Sequence, residues 1–265
     1  MTLLGVVVLY LLLGALAGTM AGLFGIGGGL VIVPVLIFSF GFMGISPEIA
    51  AHLAIGTSLA TIVFTSVSSI RTHHQHGAVR WDLFRPMTVG IVMGALIGAW
   101  TAAMLSGPFL QTIIGVFAIL VALKMILEVN PKPGRDVPGV AGLWVAGGVI
   151  GWASAIFGIG GGTISVPYLT WSNVRMQQAV ATSAACGFPI AIAGAVGNIW
   201  TGWQHPALPE MSFGFIYLPA LIGIVSTSVI FARVGAKLAH RLDGRLLKRI
   251  FAIVLIIVGV RFLLS

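Results

Sequence analysis

The first charged side chain in this chain is Glu48, and no other interrupts the stretches between Arg85 and Lys124 or between Asp136 and Arg175. Apolar runs of that length dominate what the chain can become, because no water-facing surface accommodates them. Of the 265 residues, 58% are hydrophobic and 8% charged, whereas a soluble domain carries about 25% charged residues. The mean hydropathy of +1.09 agrees. These values describe a protein integral to a membrane. Transmembrane strands would alternate apolar and polar residues, and these runs are apolar on every side, so a β-barrel does not fit. The 36 glycines suit helices that pack backbone to backbone in lipid. The lone Cys186 excludes an internal disulfide. The opening MTLLGVVVLYLLLGALAG has no basic leading region and reads as a retained first span.

A crossing needs roughly 20 apolar residues. Segments at about 2–22, 27–42, 50–70, 86–106, 109–127, 137–157, 160–170, 178–200, 212–232 and 247–264 qualify, the second and seventh being short. The expectation is an all-α polytopic membrane protein of eight to ten helical segments, ten if both short ones cross. The net charge of +8 resides in connecting stretches, where basic excess marks the cytoplasmic side. Arg71–Arg85, Lys124–Asp136, Trp171–Gln177 and Arg233–Arg249 are the basic ones. Placing them inside, and the loops around Glu48, Ser106 and Glu210 outside, lets ten spans alternate with both ends outside.

FGIGGGLVIVP, from Phe24 to Pro34, returns 133 residues later as FGIGGGTISVP, from Phe157 to Pro167. Gly18 and Gly151 share that offset, while Thr57–Ser58 and Thr182–Ser183 match at an offset of 125. Two repeats are expected, 1–129 and 137–265, joined by a linker at 130–136. Five spans per repeat is an odd number, so the halves insert with inverted topology, a known transporter construction.

The clusters are not nucleotide loops. A dinucleotide fingerprint needs a following strand unit and an acidic residue about 20 positions on, and a P-loop needs Lys-Ser/Thr; neither copy has these. Close helix packing is one reading of such glycines. The other is a pair of broken helices whose free N–H groups and dipoles attract an anion near the bilayer midplane. Each short helix is expected to end or bend near Pro34 or Pro167. On the second reading the substrate-binding set is Gly27, Gly28, Gly29, Gly160, Gly161 and Gly162, with hydroxyls from Thr57, Ser58, Thr163, Thr182 and Ser183 and the amide of Asn198. Ser165 also lies on the second short helix, and Leu30/Thr163 and Ile32/Ser165 make the two walls unlike. Pro189 invites a kink in its span. His73, His74 and His76 lack partner carboxylates, so no metal site is expected, nor any cofactor.

The stretches Gly14–Leu36 and Gly151–Leu169, followed by Gly56–Ala60 and Ala181–Ala185, resemble the sulfite exporter TauE/SafE family of membrane permeases. The resemblance covers nearly the whole chain. It implies transport of sulfite, sulfonates or related organic anions across the cytoplasmic membrane, with Gly25, Gly27, Gly28 and Gly29, their counterparts Gly158, Gly160, Gly161 and Gly162, and the Thr-Ser pairs as the substrate site. The expected partners are a small anionic substrate, protons or sodium as coupling ion, membrane lipids and further copies of the chain; nucleic acid is not among them. Alternating access is the favoured mechanism, and an anion channel the alternative. A membrane enzyme would need an acid/base set that the spans lack.

Overall fold

In a computed structural model, described for residues 3–24, 28–127, 134, 136–239 and 244–264, the chain is all helical. The ten helices are α1 (Leu3–Phe24), α2 (Gly29–Phe42), α3 (Pro47–Gln75), α4 (Trp81–Ala103), α5 (Gly107–Ile126), α6 (Val140–Phe157), α7 (Gly162–Trp171), α8 (Met176–Thr201), α9 (Leu218–Ala239) and α10 (Gly244–Leu263). Among the described residues, α3, α4, α5, α6 and α8 have the length and hydropathy to cross a bilayer, and four shorter apolar helical stretches accompany them. Leu12, Trp100, Leu120, Val145 and Ile257 are among many large apolar side chains left facing outward, as lipid requires. The expected linker at 130–136 lies outside the described residues except for 134 and 136.

Boundaries differ from expectation where polar residues continue a helix. α3 runs 29 residues, capped at its start by Ser46, whose hydroxyl accepts from the Glu48 N–H at 3.3 Å. The basic stretch Arg71–Arg85 is therefore mostly helix end and helix start. α2 and α7 run past Pro34 and Pro167, so of the two alternatives expected there, an end or a bend, the end is ruled out. Each proline is the sixth residue of its helix, so it removes one intrahelical bond without terminating the helix. α8 likewise continues through Pro189.

The main helix pairings are preserved when α1–α5 are exchanged with α6–α10. α4 pairs with α6, and its counterpart α9 pairs with α1; α3 pairs with α8 and α5 with α10. The register repeats as well. Gly14 lies against Ile224 as Gly147 lies against Met87, and Gly18 against Ser228 as Gly151 against Ile91. In every case an added Cβ would strike the partner's backbone, so these contacts admit glycine alone.

The contacts also set direction. Gly90 and Gly98 of α4 meet Trp144 and Trp152 of α6, in ascending order, so the two helices run parallel. Tyr10 and Gly18 of α1 meet Gly223 and Ser228 of α9 in the same sense. By contrast, Gly56 and Leu59 of α3 meet Asn198 and Gly194 of α8 in opposite order, and Gly115 and Ile119 of α5 meet Phe262 and Gly259 of α10 likewise. Equivalent helices thus run antiparallel, which is what inverted repeats produce and parallel repeats do not. Reversal between α3 and α8 further requires that α7 turn the chain back, and parallel α1 and α9 then require the same of α2. All ten segments alternate. α2 and α7, about 21 and 15 Å long by helical rise, are nonetheless shorter than the roughly 30 Å hydrocarbon core.

Candidate functional site

The two glycine clusters form the same local structure. Gly28, before α2, has φ 75° and ψ −17°; Gly161, before α7, has φ 79° and ψ −19°. This left-handed conformation is open to glycine and costly to residues with a Cβ. Gly28 C=O accepts from the N–H groups of Val31 (3.0 Å) and Ile32 (3.1 Å), and Gly161 C=O from those of Ile164 (3.0 Å) and Ser165 (2.7 Å). Neither helix has a side-chain cap. Their first N–H groups, Gly29–Leu30 and Gly162–Thr163, carry the positive ends of the helix dipoles.

The clusters also meet. Gly29 packs on the Gly158 carbonyl and the Ile159 Cα, so close that a Cβ at Gly29 would be 2.5 Å from that oxygen. Ser58 Oγ donates to the same carbonyl at 2.8 Å, across the boundary between the repeats. Gly158, at φ 64°, ends α6, and the Ile159 N–H returns to Ser154 C=O at 3.0 Å. The Gly160 carbonyl rests against Gly187, near the middle of the 26-residue α8. α7 therefore begins half-way along α8 and covers only its N-terminal half.

The expected polar residues divide by what their side chains touch. Thr57 Oγ1 donates to Leu53 C=O (2.6 Å) and accepts from the Tyr217 N–H (2.9 Å) at the residue before α9. Thr182 Oγ1 accepts from the Arg80 N–H (3.0 Å) at the residue before α4. The two threonines are equivalent, as are the helices they anchor, each hydroxyl fastening the fourth helix of the opposite repeat. Asn198 Nδ2 donates to Gly194 C=O (2.8 Å), while its backbone carbonyl accepts from the N–H groups of Gly202 and Phe215 at 3.1 Å. These three side chains engage backbone.

Ser183 and Thr163 differ, their hydroxyl oxygens being buried without a hydrogen-bond partner among the described residues. So are those of Ser154 and Ser165. Ser154 escaped sequence reasoning, although its signal was present: its counterpart across the 133-residue offset is Ala21. Gly25 and Gly27 lie outside the described residues.

α2, α6, α7 and α8 contain no Asp, Glu, Lys or Arg. A charged pair nearby, Arg80 with Asp82 at 2.6 Å, is exposed at the start of α4, and its hydrogen bonds hold the Arg80 guanidinium above its usual pKa. Among the described residues, no group of three His, Cys, Asp or Glu lies close enough to hold a metal ion. The site offers neutral donors at helix ends in an apolar surround.

The family model for the sulfite exporter TauE/SafE matches residues 10–262. A probable membrane transporter protein of Haemophilus influenzae is 38% identical over 260 residues, covering 98% of each chain. The probable membrane transporter protein YunE of Bacillus subtilis is 28% identical, covering 95% of each, and a Methanocaldococcus jannaschii counterpart, MJ0441, is 25% identical, covering 97% of this chain and 95% of its own. No solved structure matches. With a family model spanning nearly all of its length and a transporter relative alike from end to end, the chain belongs to the sulfite exporter TauE/SafE family of membrane transporters.

Proposed function

We propose that this protein is a secondary transporter that moves a small anion, namely sulfite, a sulfonate or a related organic anion, across the cytoplasmic membrane by alternating access. One observation carries the reading: Gly29, at the start of α2, packs on Gly158 and Ile159 in the α6–α7 junction, so the two matched glycine clusters meet between the repeats. The free N–H groups at the starts of these short helices accept an anion without burying a lysine or arginine, whose unpaired cost in a membrane is high.

The pairing of the helices defines what can move. α1 is locked to α9 and α6 to α4 through glycine contacts, so the rocking bodies are mixed pairs drawn from both repeats, not the sequence halves. The site between α2 and the α6–α7 junction is where such bodies separate. Transport runs on the anion gradient or on coupling to protons or sodium.

Reconstitution tests the reading. Purified protein in liposomes should show saturable uptake of one or more of sulfite, methanesulfonate, sulfoacetate and acetate, with counterflow at zero net gradient. Flux without saturation or counterflow would identify a channel instead, and absence of flux for every anion would remove the reading. An imposed pH or sodium gradient that leaves uptake unchanged would exclude that ion as the coupling ion.

A further inference from the structure

We infer that the anion site is one-sided, built by Ser154, Ser165 and the start of α7, and that it takes a singly charged oxyanion group in preference to a dianion. The inference rests on the anion-transport reading and specifies its site and ligand class.

The geometry is local to Gly161. The position a Cβ would fill there is 3.3 Å from Ser165 Oγ and 3.6 Å from Ser154 Oγ, with Ile190 Cδ1, the free end of a side chain that a ligand would displace, at 2.5 Å. Both serines are 0% exposed, and neither hydroxyl has a partner among the described residues. Ser154 stands one turn before the end of α6, and Ser165 in the first turn of α7, so two elements bring hydroxyls to one glycine. An O–H left unpaired in a buried site is costly, and membrane serines ordinarily avoid the cost by bonding to their own helix. Thr163, on the same first turn, keeps a third buried hydroxyl unpaired.

The first repeat has none of this. Ala21, Leu30 and Ile32 occupy the places of Ser154, Thr163 and Ser165. α2 starts with the same backbone as α7 but with apolar side chains, and Gly29 is pressed onto the Gly158 carbonyl. The start of α2 thus acts as the closing wall of a site that the second repeat supplies. This replaces the symmetric pair of donor sets expected from the duplication.

Charge selectivity follows from the donor chemistry. Backbone N–H and serine O–H groups are neutral, and α2, α6, α7 and α8 carry no Lys or Arg. The cost of transferring an ion grows with the square of its charge, so a dianion costs about four times as much as a monoanion. Neutral donors suffice for a sulfonate, bisulfite or carboxylate group and fall short for sulfate.

The test measures binding to the detergent-purified full chain by thermal shift and titration, with methanesulfonate and acetate as monoanions and sulfate as the dianion at matched ionic strength. Wild type should bind at least one monoanion and leave sulfate unbound. Ser154→Ala and Ser165→Ala should each weaken that binding about 10- to 100-fold, the range for a hydrogen bond to a charged group. Both variants should melt at or above the wild-type temperature without ligand, because each removes an unpaired buried hydroxyl. Equal binding of sulfate, unchanged affinity in both variants, or a lowered melting temperature in both would overturn the inference while leaving anion transport standing. If wild type binds and transports no anion, the transport reading itself falls and this inference with it.

Discussion

The equivalent threonines Thr57 and Thr182 provide a test that separates scaffold from site. Replacing Thr57 with Val keeps the shape of the side chain and removes the oxygen that accepts the Tyr217 N–H at 2.9 Å. That bond is buried, and Thr57 is 0% exposed, so no water replaces the lost acceptor. A buried donor left unpaired costs about 1–3 kcal/mol. Leu53 C=O, which receives the Thr57 hydroxyl at 2.6 Å, remains a helical acceptor and adds little. Thr182→Val removes the acceptor for the Arg80 N–H, which is only partly buried beside the exposed Arg80–Asp82 pair. Water can take its place there, and the expected cost is about 0.5–1.5 kcal/mol. Thr57→Val should therefore be the more destabilising, and both variants should keep anion affinity within about twofold, since each hydroxyl is committed to backbone. Reversible unfolding in mixed micelles measures the first quantity and anion titration the second. A Thr57→Val protein as stable as wild type that has lost anion binding would refute the reasoning, and would make that hydroxyl a ligand.

Three further outcomes follow from the packing. Gly161→Ala should lower the melting temperature more than Gly44→Ala: both have left-handed φ, 79° and 75°, but only at Gly161 does a Cβ also meet Ile190 Cδ1, at 2.5 Å. Gly94→Leu should prevent close pairing of α4 and α6, because a Cβ there collides with the Gly148 carbonyl, whereas a Cβ at Gly41 meets nothing within 4 Å and Gly41→Ala should unfold within about 0.5 kcal/mol of wild type. Cysteines at Thr101 and Trp152, whose side chains hydrogen-bond between α4 and α6 at 3.3 Å, should accept a short bis-methanethiosulfonate cross-linker without loss of counterflow. The native Cys186 is fully buried and stays silent in that experiment. Loss of counterflow on cross-linking would show that α4 and α6 part during transport.

The helices were legible in the sequence because lipid demands long apolar runs, and the repeat was legible where glycine is the only residue that fits. Gly18 and Gly151 match at the 133-residue offset because each lets its helix touch a partner's backbone. Their partners were not legible as equivalents. Ser228 and Ile91 occupy the same place in α9 and α4 yet share no chemistry, since a glycine opposite accepts any backbone. The role of the Thr-Ser pairs was hidden for a different reason: a hydroxyl that anchors a distant N–H and one that awaits a ligand have the same letter. Thr57 and Thr182 each accept the backbone N–H of a segment far along the chain.

Duplication marks what the scaffold needs twice, so identity between the repeats points first to packing and backbone conformation. Gly28 and Gly161 agree because α2 and α7 must both start from a left-handed residue. A single binding site for an asymmetric task has no such requirement in both halves. Its side chains should appear where the copies disagree in polarity while the backbone agrees. Ser154, Thr163 and Ser165 against Ala21, Leu30 and Ile32 satisfy that condition around one shared backbone geometry. Exchanging the two sets therefore tests the principle directly. Ala21→Ser, Leu30→Thr and Ile32→Ser together should not restore binding to a Ser154→Ala, Ser165→Ala protein, because the start of α2 faces the backbone carbonyl oxygen of Gly158, which repels an anion, rather than the free end of a side chain. Restored binding would mean that either helix start can hold the ligand, and that the difference between the repeats is incidental to it.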